Sequence, residues 1–379
     1  LDARSDNYLA AVYNDKSICG LALLDISTGD FATAQGNQAL VDRLLRAHQP
    51  TEILVLNGQA KAFTESFGSD WHLSRLDDWV FKPDYAKERV QKQFDNKSLK
   101  GFELDDRPLA LLTAGAVLHY LDHAKHDRPK HVRTIRTLRE DGTLWLDRFT
   151  IRNLELVEPN HSDGTSLAQT IDRTGSPMGA RTLRRWLIMP LTDVDAINQR
   201  LNAVECLNGE EDLRKGFQSL FKSTGDLERL ASKASTGRIN PRELSQLRKG
   251  VEAVESIDSL AAEVTPLLPY LQRLTPCAEL RLRLRSELVE DPPVLATKGQ
   301  VIKQGVNTEL DELRTLKTNA QTSLDAICKR ETERTGISSL KIAYNQVFGY
   351  YLEVRNTHKD KVPSDWIRKQ TLTQAERYI

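Results

Sequence analysis

Four cysteines in 379 residues, Cys19, Cys206, Cys277 and Cys328, are too far apart to form a Cys-x-x-Cys pair. Neither a zinc site of that kind nor the disulfide framework of a small secreted domain fits them. Net charge is lacking too, since 53 basic residues balance 53 acidic ones. That balance argues against a histone-like or tail-driven binder of nucleic acid. It leaves room for a local basic surface, because the field at a site is set by nearby charges. No apolar run approaches a membrane span and no signal peptide is visible, so a cytoplasmic protein without a membrane partner is expected. Aromatics are scarce at 6% while 28% of residues are charged, which suits a helix-rich, well-solvated chain. The length allows two or three domains with sizeable cores.

Catalytic and cofactor motifs are also sparse. No Gly-x-x-x-x-Gly-Lys-[Ser/Thr] occurs. The nearest stretch, "GFQSLFKST" from Gly216 to Thr224, has Phe221 where the loop needs glycine, and a bulky residue there blocks the amides from wrapping a phosphate. It reads as a helix end, and no nucleotide site is expected. His119, His123 and His126 share one helical face with His131 nearby, but no His-Glu-x-x-His and no adjacent cysteine accompany them. Ligand-like spacing alone does not make a metal site, so a plain helix face is expected and no metal. Asp25 and Asp30 flank a Ser-Thr-Gly turn. Two acids at a turn fall short of the carboxylate set that a two-metal nuclease needs.

What is present reads as a multidomain α+β chain. "NYLAAVYN", "SICGLALLDI" and "TGDFATAQ" are three short runs rich in apolar and β-branched residues, separated by turn residues. A helical stretch, "NQALVDRLLRAH", and a buried-looking strand, "TEILVL", follow. Three meandering strands, a helix and another strand suggest a ribonuclease-H-like α/β sheet. A further helix begins at Pro108, and "TLWLDRF" reads as a last short strand. From Asn153 almost to Gly336 the chain looks helical. Ser176 with Pro177, and Asn240 with Pro241, are cap-then-proline starts. Val194, Ile197, Leu201 and Val204 recur at helical spacing. The longest helix runs from about Val306 to Arg334. Its stripe of Leu310, Leu313, Leu316, Ala320, Leu324 and Ile327 predicts pairing with another helix, and Gly336 ends it.

"KIAYNQVFGYYLEVRN", Lys341 to Asn356, reads as strand, glycine-containing bend, strand. It carries tyrosines and amides where a hairpin that only closed a core would carry aliphatics. From Lys341 to Ile379 there are seven basic and four acidic residues, a balance of +3. Asn345, Gln346, Asn356, Gln370 and Gln374 add neutral donors. Phosphate oxygens accept from such groups without sequence preference, so the hairpin is the strongest candidate for contact with a nucleic-acid backbone.

"LDRFTIRNLEL", "SPMGARTLRRWLIMPL", "INQRLNAVECL", "GRINPREL", "ERTGISSLKIAYNQVFGYYLEV" and "RKQTLTQAERYI" resemble, in order and spacing, successive signatures of the MutS family of DNA mismatch-repair proteins. The resemblance runs essentially from end to end. It implies a connector domain over residues 1–132, of which "LALLDISTGDF" is typical. It implies a helical core with a descending lever helix over 133–340, and part of a clamp over 341–379. In the family the clamp closes over duplex DNA and grips its backbone. The resemblance places contacts at Asn345 and at Thr373 and Gln374, where many relatives have lysine and asparagine at the last two. With the hairpin's charges, the implied DNA-binding set is Lys341, Asn345, Arg355, Arg368, Lys369, Thr373 and Gln374, with Arg368 or Lys369 compensating for the missing lysine.

Two family features are missing from this sequence: the Gly-x-Phe-Tyr-Glu motif that wedges a mispair, and the phosphate-binding loop. Because the chain starts at Leu1 and stops in "LTQAERYI", which looks like the opening turns of a helix, it is read as a piece of a longer protein. This piece is then expected to be no enzyme and to hold no cofactor. The resemblance implies that the whole protein reads mispairs, hydrolyses ATP with magnesium, forms a homodimer and docks a MutL-like protein through the connector, the piece alone being monomeric. The alternatives are a MutS paralogue without the mismatch domain, acting on other DNA structures, a ribonuclease-H-type nuclease built on Asp25, or a purely structural helical protein.

Overall fold

A computed structural model describes residues 2–95, 100–123, 131–138, 142–144 and 146–379. These fall into two compact units, Leu1–Val301 and Ile302–Ile379.

The first unit begins with an antiparallel meander of β1 (Tyr8–Asp15), β2 (Ile18–Asp25) and β3 (Asp30–Gly36). Helix α1 (Gln38–His48) leads to β4 (Glu52–Leu56), parallel to β1, and α2 (Ala60–Phe67) leads to β5 (Leu73–Leu76), parallel to β4. Then come α3 (Pro83–Phe94), α4 (Pro108–His123) and the short β6 (Arg136–Thr137) beside β3. The sheet order is β5-β4-β1-β2-β3-β6. Strand β2 is buried from Cys19 to Asp25 because helices cover both faces of the sheet. Leu21, Leu23, Leu44, Ile53 and Phe63 pack on one side, while Ala22, Leu24, Phe31, Leu54 and Val117 pack on the other. Helix α4 lies so close to β2 that a Cβ on Gly20 would sit 2.3 Å from the Leu109 carbonyl oxygen.

The rest of the unit is helical: α5 (Arg148–Asn153), α6 (Leu167–Ile171), α7 (Pro177–Ile188), α8 (Val194–Gly209), α9 (Glu211–Thr224), α10 (Leu227–Ser235), α11 (Pro241–Ala261), α12 (Leu268–Leu271) and α13 (Ala278–Glu287). Ser176 caps α7 by accepting from Gly179 N, and Asn240 and Glu243 close a reciprocal capping box on α11. Around Ala203, Phe217, Ile257 and Ala261, α8, α9 and α11 share a core.

One expectation fails in this part and another holds with a difference in which residues are buried. Among the described residues of "TLWLDRF" there is no strand. Thr143 makes an isolated bridge to Leu191, and Asp147 turns the chain into α5 by accepting from Thr150 N at 2.7 Å. A side-chain cap at that position competes successfully with the apolar pattern before it. The apolar residues of α8 form a helix as their spacing predicts, but Val194, Leu201 and Val204 are 65%, 57% and 62% exposed, and Ala203 is the residue that faces the core.

A buried arginine ties the first residues to the helices. The Arg181 guanidinium donates to both carboxylate oxygens of Asp226 (2.8 and 3.0 Å), to Glu228 (2.5 Å) and to the Ala3 carbonyl (2.9 Å), with Asp6 at 3.5 Å. Arg229 donates to the carbonyls of Asp2 and Ser5.

The second unit is a long helix and a small sheet. Helix α14 (Thr308–Thr335), about 42 Å long at 1.5 Å per residue, is capped by Asn307 and ends at Gly336, whose φ of +67° suits glycine. Its apolar stripe is largely uncovered, with Leu313 and Leu316 56% and 64% exposed. Strands β7 (Lys341–Asn345), β8 (Gly349–Arg355), β9 (Arg368–Thr371) and β10 (Ala375–Tyr378) form an antiparallel sheet in the order β7-β8-β10-β9. Ile337, Leu340, Val354 and Tyr378 make its core with Trp366 and Cys328. "AERYI" is therefore strand where helical turns were expected. Ala, Glu and Arg favour helix by only a few tenths of a kcal/mol each, roughly. Ladders to β8 on one side and β9 on the other, with Ala375, Glu376 and Tyr378 buried, outweigh that preference.

Candidate nucleic-acid interface

The hairpin of β7 and β8 is closed by its own asparagine. Asn345 Oδ1 accepts from Val347 N at 3.0 Å and from Phe348 N at 2.7 Å, and Gly349 leaves the turn with φ +74°. The amide oxygen is thus committed to the turn, and its NH2 group remains as the donor. Tyr344 and Tyr350 meet edge to face at 5.2 Å and are both exposed, and Val347 at the tip is 79% exposed.

The charges sort into two kinds. Arg377 lies 4.5 Å over the Tyr351 ring and donates to Glu353 (3.1 Å) and Gln370 (2.9 Å), so it braces β8, β10 and β9 together. Arg368 (3.2 Å) and Lys359 (2.8 Å) converge on the buried carboxylate of Glu376, which also accepts from the Tyr378 hydroxyl. Those two donors, Lys359 and Tyr378, hold the Glu376 carboxyl down to about 2, and burial against Glu376 pushes the Tyr378 phenol up to about 12. Lys341, Arg355 and Lys369 are exposed and make no ion pair among the described residues. Thr373 and Gln374 are exposed in the β9–β10 turn, where Asn356 pins the backbone: its NH2 donates to the Thr373 carbonyl (3.1 Å) and its backbone N–H to that of Gln374 (3.1 Å).

The seven candidate residues therefore lie on one small sheet and its turns, but not as seven equals. Three are unpaired cations, Asn345 is half used, and Arg368 already has an internal partner. Glu376 lay outside the sequence reading of the hairpin's donors, Lys359 was counted there only among the basic residues, and Asn356, named there as a neutral donor, holds the β9–β10 turn instead. A glutamate inside an apolar-flanked strand, "AERY", was the one available signal.

The other candidates are structural. Asp25 is fully buried and accepts from Asn7 N, Ser27 N and the Ser27 hydroxyl. Asp30 takes a two-pronged bond from Arg136 (2.7 Å each) and one from the Tyr8 hydroxyl (2.6 Å). Burial opposes its ionisation, but Arg136 and Tyr8 bring it down to about 2. His119 shares a 2.7 Å hydrogen bond with the Tyr85 hydroxyl, His123 donates to the His119 carbonyl, and His131 donates to the Ile26 carbonyl. His126 lies outside the described residues. Among the described residues no three His, Cys, Asp or Glu side chains form a metal-binding group. "GFQSLFKST" lies within α9, which ends at Thr224, so its amides are spent on the helix. No helix among the described residues is long and apolar enough to cross a membrane.

The residues that build the mixed sheet, the helical segment and most of the second unit match two family models. The model of MutS domain II covers residues 7–133, and that of MutS domain III covers residues 149–364. The chain belongs to the MutS family. It is 45% identical to a DNA mismatch repair protein MutS of Cytophaga hutchinsonii, 46% to one of Bacteroides fragilis and 45% to one of Flavobacterium johnsoniae, in each case over 100% of this chain. The chain spans 44% of the length of each of those relatives.

Proposed function

We propose that this chain is the DNA-gripping and signal-transmitting part of a mismatch-repair ATPase. Residues 1–132 serve as a ribonuclease-H-like connector, 133–340 as core and descending lever, and 341–379 as a clamp that holds the duplex by its backbone. The observation that carries this reading is the set of exposed cations without ion pairs on one small sheet, Lys341, Arg355 and Lys369, beside an asparagine whose NH2 is free to donate. Such groups suit phosphate oxygens and read no sequence. The whole protein would recognise mispairs, hydrolyse ATP with magnesium through parts beyond this sequence, work as a homodimer in the cytoplasm and dock a MutL-like partner through the connector. Asp25 and Asp30, each saturated by protein donors, weigh against a nuclease.

A salt titration of labelled duplex by fluorescence anisotropy tests it. Each phosphate neutralised contributes about −0.9 to the slope of log K against log salt, so three or four contacts give about −3 to −4. Affinity should fall in the non-specific range, roughly 10⁻⁴ to 10⁻⁶ M. Replacing Lys341, Arg355 and Lys369 together by Ala should flatten the slope by about two to three units. A G·T mispair should bind no better than paired duplex. Equal binding by wild type and the triple variant at every salt concentration refutes the reading.

A further inference from the structure

Glu376 is out of place on a phosphate-binding sheet. It is 2% exposed, on the strand between β8 and β9, and it repels the ligand the sheet is read to hold. Two half-exposed cations from different segments are drawn to it. Lys359 comes from the turn after β8 and Arg368 from the start of β9, with side chains 53% and 56% exposed. Their contacts on the carboxylate, at 2.8 and 3.2 Å, use the same oxygen, Oε1. The other oxygen is taken by the Tyr378 hydroxyl. A carboxylate with two cations on one oxygen and a buried hydroxyl on the other is bound as a phosphate would be. Because the carboxyl is held near 2, this arrangement persists through the neutral range.

We propose that Glu376 is a built-in phosphate surrogate. It gathers Lys359 and Arg368 into one site and cancels one of their two charges, so the pair neutralises a single phosphate. The inference rests on the backbone-gripping reading above and assigns that function a positioning and tuning residue. A phosphate arriving at the cluster competes with the carboxylate for the lysine and arginine, which weakens its capture and favours its release.

The test uses the whole 379-residue chain. Glu376→Gln keeps the shape and the hydroxyl partner but removes the charge. The salt slope should steepen by about 0.9, corresponding to about eight-fold tighter binding at about 0.1 M salt if the two proteins match at about 1 M. Glu376→Asp keeps the charge and should keep the wild-type slope, whereas a purely structural role would lower the melting temperature in both variants and leave both slopes alone. Lys359→Gln alone should flatten the slope by about 0.9, and Lys359→Gln with Glu376→Gln should return it to wild type. That pair keeps the question answerable if Glu376→Gln does not fold alone: a wild-type slope in Lys359→Gln overturns the proposal. An unchanged or flattened slope in Glu376→Gln, while the Lys341, Arg355 and Lys369 triple variant is weakened, overturns the surrogate and leaves the backbone-gripping reading standing. If the triple variant is also unchanged, both fall.

Discussion

Replacing Arg181 by Met should be among the most damaging single changes in the first unit. The arginine side chain is fully buried, and the groups it leaves behind differ in how much they lose. Asp226 is 14% exposed and Asp6 16%, so both become poorly solvated carboxylates that have lost their buried partner, Asp226 keeping only Arg229 at 3.7 Å, while Glu228, 46% exposed, can turn to water. Breaking one buried pair from one side costs about 3–5 kcal/mol, and losing the Ala3 carbonyl as an acceptor adds about 1 kcal/mol. Glu228 contributes little, as exposed pairs do. In a unit of this size each kcal/mol moves the melting temperature by about 2–4 °C, so a fall of about 10 °C is expected. Asp226 also caps α10 by accepting from Arg229 N, so Asp226→Asn is the right second change, because it keeps the cap while removing the charge. In the Arg181→Met background Asp226→Asn should recover about 1–2 kcal/mol. In the wild-type background it should cost stability. The acid side has a sign as well. Burial opposes ionisation of Asp226, but Arg181 and Arg229 hold its carboxyl below the ordinary value, so its stabilisation is present above about pH 4 and is lost as the pH falls. Arg181→Met should weaken that acid sensitivity, with Arg229 left as the remaining cation beside Asp226. Thermal melts followed by circular dichroism across the four-protein cycle are the assay. A shift below about 2 °C in Arg181→Met, or no recovery in the double variant, refutes the reasoning.

Two further outcomes follow from the α/β sheet. His48 is buried against the edge of the Tyr8 ring with neither ring nitrogen hydrogen-bonded; burial, with Arg136 and Arg185 reinforcing it and Asp30 opposing, pushes its pKa down to about 3. It folds neutral, so its stability contribution is complete above about pH 6.5 and is lost toward acid at up to about 1.4 kcal/mol per pH unit. His48→Phe should flatten urea-denaturation stability between about pH 6.5 and pH 4, and an unchanged slope there would contradict the assignment. Gly20→Ala should destabilise by about 1–3 kcal/mol or more, because its methyl meets the Leu109 backbone and cannot be accommodated by a rotamer change. A melt matching wild type would show that α4 can retreat from β2.

Where the fold was legible, the information was local. Ser176 with Pro177, and Asn240 with Pro241, announce α7 and α11 in two residues of sequence each, and the meander of β1 to β3 is spelled by short apolar runs between turn residues. Apart from "TLWLDRF", where the local Asp147 cap decides, the misreading arose where distant partners decide. Strand β10 is a strand because β8 and β9 flank it, and nothing in "AERYI" reports those neighbours. The α8 spacing gives a helix but not which side of it faces α9 and α11. At the candidate interface, residue type identified the cations. It could not separate Lys341, Arg355 and Lys369 from Arg368, because that distinction depends on a carboxylate reaching them from another strand.

The way residues 2–5 are held has a consequence for substitution. Arg181 and Arg229 donate to the carbonyl oxygens of Asp2, Ala3 and Ser5, groups that every amino acid carries alike. Identity along this segment is therefore nearly free at Ala3, whose side chain takes no part in the anchoring bonds, while the two arginines that read the backbone are irreplaceable by lysine, whose single ammonium cannot span the same forked set of acceptors. The neighbours of Ala3 are not free in the same way: the Asp2 carboxylate accepts from Arg4 N and the Ser5 hydroxyl, and the Arg4 side chain donates to Asp172 and Thr174.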